Sequence, residues 1–297
     1  MASSPVRPYL FRSSHKQPKP QEDARMLRFR FLLTLLIAGV LTLPLQAATI
    51  TVADSGADYT SIQAAINAAL NGMDIIVSPG TYVENINFNG KAITLRSASG
   101  DPADTIIDGG NSGSVVKFNS HETSAATLAG FTIQNGEAKY GAGIYVYNNT
   151  HPTFENLVVT GNAARNTSGS SGYGGGFSIY KDCNPTLTNI TIHDNTAITY
   201  GGGIYLYDNC DPTLTNLTVS GNSGNEKGGG MYNDESSPTV TNCTFSGNGA
   251  SGNGSYDGGG GMYNYQSSPA VTNCIFSDNS FARSGGGMAN YTTATRQ

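Results

Sequence analysis

One feature restricts this chain more than any other: from residue 141 onward the same short pattern returns at a nearly constant interval. Five segments align without gaps: HPTFENLVVTGN around Pro152, NPTLTNITIHDN around Pro185, DPTLTNLTVSGN around Pro212, SPTVTNCTFSGN around Pro238 and SPAVTNCIFSDN around Pro269. A Gly-rich start precedes each proline by 10 or 11 residues, at Gly141, Gly174, Gly201, Gly228 and Gly259, and a sixth start stands at Gly285-Gly286-Gly287-Met288. The proline-to-proline spacings are 33, 27, 26 and 31, and the larger variation falls between the terminal Asn of a unit and the next Gly run. A repeat that varies at one corner describes a coil with one tolerant loop.

Within a unit, apolar residues alternate at period two, as strands require. In GGGIYLYDNCDPTLTNLTVSGN the inward set reads Ile204, Leu206, Leu214, Leu217 and Val219. Three short strands separated by corners give one turn of a solenoid, each strand pairing in parallel with its copy in the next coil. The expected fold is all-β: a right-handed, three-sided parallel β-helix. Identical residues then stack in columns. Asn156, Asn189, Asn216, Asn242 and Asn273 fall at the corner between the second and third strands, where one residue with φ > 0 is needed and Asn tolerates it. Gly130 fills the same corner one coil earlier. Side-chain amides carry donors and an acceptor, so these Asn are expected to form a buried structural ladder.

The segment before the repeats supplies a lid. Ile62, Ala65, Ile66, Ala69 and Leu70 form a helical apolar face, with Thr60 as the expected N-cap and Gly72 as the stop. Asp74–Val77 reads as the first strand, and residues 91–95 and 105–110 continue the early coils. Upstream, a basic start at Met26, an apolar run from Phe31 to Leu45 and small residues near Ala47 have the form of a secretory signal over residues 26–48. Residues 1–25 are expected to precede the true start. Residues 49–297 then form a single β-helix domain, expected to be open at its C-terminal end and able to associate end to end. The net charge of −5, with 12% charged residues, excludes the basic surface that nucleic acid requires.

Ile62-Gln63-Ala64-Ala65-Ile66, Pro79-Gly80-Thr81-Tyr82 and Thr105-Ile106-Ile107-Asp108-Gly109 resemble the opening of the pectate lyase and pectin methylesterase superfamily. The later coils are similar to the repeats of chlamydial-type polymorphic outer-membrane proteins, in Gly202-Gly203-Ile204, Gly229-Gly230-Met231, Phe245-Ser246-Gly247-Asn248 and Phe276-Ser277-Asp278-Asn279. Val159 and Val219 depart from the second motif. The resemblance implies secretion or display at the cell surface or outer membrane and, for the latter family, adhesion.

Enzymes of that superfamily work on the outward face of the first strand. Here that face carries Tyr145, Tyr205, Tyr232 and Tyr263 in one column and Tyr147, Tyr180, Tyr207, Tyr265 and Tyr291 in the next. Asp234 is the one acid among them, and no base or His accompanies it, so no catalytic pair can be assembled. The expected function is non-catalytic binding of an extracellular glycan or cell-surface partner, with Tyr145, Tyr205, Tyr207, Tyr232, Tyr263 and Tyr265 as the platform and no cofactor. Two alternatives stand beside it. One is a Ca²⁺-dependent polysaccharide lyase using the acidic corner of Asp182, Asp208, Asp211, Asp234 and Glu235, with Lys181 as base. The other is a structural spacer. Cys183 and Cys210 share a corner column and are the candidate disulfide, while Cys243 and Cys274 share a core column with Leu157, Ile190 and Leu217.

Overall fold

The computed structural model describes residues 48–252, 258–281 and 286–292. The expected signal segment lies outside them except for Ala48, as do residues 1–25 and everything beyond 292, where the open end was expected. The described chain is a parallel β-solenoid. Its eight-stranded sheet begins with Ile86–Asn87 and Val116–Phe118 and continues with the strands that follow each Gly run, through Ile144–Tyr147, Ile204–Tyr207 and Met262–Tyr265 to Met288–Tyr291. A 15-stranded sheet holds the second and third strands of each coil, and a six-stranded ladder of two-residue strands such as Thr196–Ala197 and Ser223–Gly224 closes the coil.

Side-chain alternation turns this stacking into a core. Ile204, Leu206, Leu214 and Val219 are fully buried and Leu217 is 1% exposed. The aromatic rings of Phe88 and Phe118 stack inside the early coils at 4.1 Å, and those of Phe245 and Phe276 at 4.9 Å in the late ones. The second and third sides share one ladder because a single left-handed residue bends the chain without breaking the strand in Thr153–Thr160 and Thr186–His193. That residue is the expected Asn: φ is 51° at Asn156, 55° at Asn189, 57° at Asn216, 56° at Asn242 and 51° at Asn273, with 79° at Gly130.

The ladder expected from these five Asn does not form inside the stack. A left-handed backbone turns the side chain outward, and all five are exposed. Asn216 donates to Asn189 Oδ1 at 3.0 Å, but this bond faces water. The buried ladder is built from the last Asn of each unit, Asn162, Asn195, Asn222 and Asn248, and is continued by the partly buried Asn279. Each follows a corner residue that takes the positive φ instead (Gly161, Asp194, Gly221, Gly247 and Asp278) and so points inward. The Nδ2 groups donate up the stack to the next Oδ1 at 2.9–3.0 Å, and the same oxygens accept the backbone N–H of the preceding rung at 3.0–3.1 Å.

The Gly run is a steric requirement. Gly201 sits at φ 65°, and a Cβ on Gly203 would meet Gly230 O in the next coil at 2.5 Å. Two coils can approach this closely only where neither carries a side chain.

At the N-terminal end, Thr49–Val52 precedes Asp74–Val77 and pairs with it in parallel, so the expected first strand is the second. Helix α1 (Ile62–Ala68) covers this end with Ile62, Ala65 and Ile66. Its N-cap is Ser61 rather than Thr60. Glu84, from the adjoining coil, accepts the N–H groups of Ile62 and Gln63 at 2.7 and 3.0 Å. The helix stops before Leu70, which is 73% exposed and not part of the buried face. Lys91 Nζ donates to the last carbonyls, Ile66, Asn67 and Ala69, at 2.6–2.7 Å. Both ends of α1 are thus satisfied by side chains of the solenoid.

Candidate functional site

The tyrosines fall in the expected columns. Parallel register places Tyr145, Ser178, Tyr205, Tyr232 and Tyr263 on one line, and Tyr147, Tyr180, Tyr207, Asp234, Tyr265 and Tyr291 on the next. They do not form one flat exposed platform. Tyr205, Tyr232 and Tyr263 are only 5%, 3% and 2% exposed. A third line covers them: Tyr140, Tyr173, Tyr200 and Lys227, joined by isolated parallel bridges.

Rings from the three lines pack into one belt. Tyr200 stacks on Tyr232 at 4.6 Å, Tyr173 leans on Tyr205 at 5.2 Å, and Tyr232 stacks on Tyr263 at 5.3 Å. Desolvation accordingly pushes the phenols of Tyr145, Tyr200, Tyr205 and Tyr232 well above the ordinary value. They stay protonated at any physiological pH. The surface presented to solvent is therefore the outer line, where Tyr147, Tyr180 and Tyr207 follow one another at 5.3 and 5.2 Å and Tyr265 stacks on Tyr291 at 5.4 Å. All five are half-buried. Of the six platform residues expected, Tyr145, Tyr207 and Tyr265 keep part of their surface in water, and Tyr205, Tyr232 and Tyr263 support them from beneath.

Asp234 interrupts the outer line between Tyr207 and Tyr265. Burial, reinforced by Glu235 and opposed by Lys227, pushes its carboxyl up to about 6. Lys227 Nζ lies 5.0 Å from the centre of the Tyr263 ring and 5.9 Å from that of Tyr200, a cation–π distance. Tyr140, Tyr173, Tyr200 and Lys227 were missed because the segment before each Gly run reads as the tolerant loop. The signal was there: all four immediately precede the first Gly of a run.

The matching family model is described as a right-handed β-helix region and covers residues 115–296, more than half of the chain. The chain belongs to this β-helix family. No curated protein sequence matches it. Among solved structures, this β-helix protein is similar to the pectin methylesterase of Aspergillus niger, with 14% identity, 86% of this chain and 88% of that chain covered and a TM-score of 0.48. Pectate lyase Pel9A gives 16% identity, 77% and 79% coverage and a TM-score of 0.44. The carrot pectin methylesterase gives 13%, 86% and 86%, and 0.37. At these identities the likeness is one of fold.

The acidic corner of this β-helix is a row of turn residues. Asp182 accepts from Asn209 Nδ2 at 2.8 Å and Asp211 accepts the Ser237 N–H. No three His, Cys, Asp or Glu side chains converge among the described residues. Lys181, the base of the lyase alternative, extends over the Tyr147 ring at 6.0 Å. Cys183 and Cys210 occupy the expected shared column and stand as buried free thiols. The column they join is Thr150, Cys183, Cys210, Ser236 and Ser267, and each of its side chains donates to a backbone carbonyl of its own coil. Each Sγ or Oγ after the first accepts the backbone N–H of the preceding coil, at 3.4, 3.3, 3.1 and 3.0 Å. The neighbouring Cys183 side chain, with burial, pushes the Cys210 thiol up. Cys243 is a core residue at 1% exposure, as expected, and Cys274 is partly covered.

Proposed function

We propose that this β-helix protein acts outside the cell as a binding module for glycan chains, through the outer tyrosine line and without catalysis. The observation that carries the reading is the half-exposed row of Tyr147, Tyr180, Tyr207 and Tyr265, broken once by Asp234 and held in place by a buried aromatic layer. Aromatic faces attract the positively polarised C–H groups of a sugar ring, and the phenol hydroxyls at the rim can donate to its oxygens. A row fixed by packing loses little side-chain freedom on binding. The leader-like segment at 26–48 and the similarity of the late repeats to polymorphic outer-membrane proteins support an extracellular or cell-surface setting and an adhesive role.

The test is isothermal titration against soluble neutral and acidic polysaccharides, with Tyr207→Ser/Tyr265→Ser beside the parent. Both positions are half-buried, so the double variant is expected to fold, which circular dichroism checks, and should lose at least tenfold in affinity. A parent that binds no polysaccharide, or a variant that binds as well as the parent, refutes the reading.

One observation favours a second reading, a polysaccharide-cleaving enzyme. Asp234 combines a carboxyl value of about 6 with a place between two aromatic rings and Lys227 within electrostatic reach. A carboxyl so placed can carry a proton near neutral pH. Release of reducing or unsaturated sugar ends by the parent, abolished in Asp234→Asn, would establish that reading over the first.

A further inference from the structure

The second side of the solenoid carries an array that the tyrosine belt does not explain. In three successive coils its outward positions are Thr186 and Thr188, Thr213 and Thr215, and Thr239 and Thr241, in strict parallel register. The fourth coil continues with Ala270 and Thr272. Among the described residues, no protein partner engages any of these six hydroxyls, and all six side chains reach solvent. The outward positions of these strands hold no Asp, Glu, Lys or Arg.

High β-propensity accounts for Thr on a strand. It does not account for the change along the face: the same column carries Arg96 and Glu155 in earlier coils, and the next three coils hold only Thr at both outward positions. What the array offers is a two-dimensional lattice. Rungs repeat at ~4.8 Å and alternate residues along a strand at ~6.6 Å, and each lattice point bears one methyl and one free hydroxyl. β-Branched side chains are stiff at χ1, so the points are well fixed.

We infer that this threonine face binds ice. The spacings lie close to those of oxygen atoms on faces of hexagonal ice, and an uncharged lattice of donors and acceptors complements an uncharged crystal. Methyl groups hold the first water layer at a distance while the hydroxyls anchor it, so the surface orders water in place before contact. The face is on a different sheet from the tyrosine belt, and the two proposals stand or fall separately.

The experiment is ice affinity: labelled parent in dilute solution is exposed to a slowly growing ice surface, and the fraction taken into the ice is measured beside an inert protein. Thr213→Lys/Thr241→Lys places two charges diagonally on the lattice at positions that reach solvent. Ser223→Lys adds a charge on the separate six-stranded ladder. Circular dichroism confirms folding of each. The expected result is enrichment of the parent and of Ser223→Lys in ice, faceting of crystals grown in their presence, and loss of both effects in the double variant. Exclusion of the parent from ice overturns the inference. So do equal incorporation of the double variant, loss of effect in Ser223→Lys, or retention of the parent on powdered cellulose or chitin without incorporation into ice.

Discussion

Replacing Asn222 by Ala removes the central rung of the buried amide ladder. Asn222 is 1% exposed. Its Nδ2 donates to Asn248 Oδ1 at 3.0 Å and to Ile192 O at 2.9 Å, and its Oδ1 accepts Asn195 N and Asn195 Nδ2, both at 3.0 Å. After truncation, Asn195 Nδ2 still reaches Val159 O and His193 O, and Asn248 Oδ1 still accepts the Asn222 N–H. The Asn195 N–H keeps no side-chain partner, and such a buried donor costs about 1–3 kcal/mol. The amide-sized void adds a cavity cost, for a total on the order of 3 kcal/mol. Asn216→Ala, in the exposed corner column, leaves no buried group unpaired and should cost roughly 1 kcal/mol, through the strain of φ > 0. Guanidinium unfolding followed by circular dichroism measures both, with equal slopes needed for the comparison. If Asn222→Ala is no more destabilising than Asn216→Ala, the inward amides do not support the stack as argued.

Cys183→Ser and Cys210→Ser should each shift the unfolding midpoint little, because Ser already performs the same backbone contact at Ser236 and Ser267; Cys210→Val leaves the Cys183 N–H without its acceptor and should cost about 1–3 kcal/mol. For Asp234 the folded carboxyl lies above its ordinary 3.8, so the native state holds the proton more tightly than the unfolded chain, and stability falls as pH rises from about 4 to about 6. Asp234→Asn should therefore exceed the parent by roughly 1 kcal/mol at pH 7, allowing for its half-exposed position, and match it near pH 3.5 in thermal melts. Tyr232→Ala, within the covered layer between Tyr200 and Tyr263, should cost about 3 kcal/mol. Tyr207→Ala, on the half-exposed line, should cost less than half of that in the same denaturation assay.

The repeat alone determined the solenoid. A period of two inside a period near 27 leaves each strand no partner except its own copy in the next coil, so the columns of Tyr, Asn, Cys and Leu could be written down before any coordinate. Positive φ at five Asn was equally legible, because backbone sterics select for it locally. Which Asn column turns inward was not legible. Asn156 and Asn162 recur at equally fixed offsets, and only the direction of the chain leaving each corner sends one amide to water and the other into the core. The tyrosine face divides along the same line. Local alternation marks Tyr205 and Tyr232 as outward, but whether an outward residue is exposed depends on what another segment lays over it. Tyr173 and Tyr200 come from the loop of variable length, whose path the repeat does not encode. Period and register are properties of neighbours in sequence and in stack; burial is set by the whole coil, and it took the folded chain to decide it.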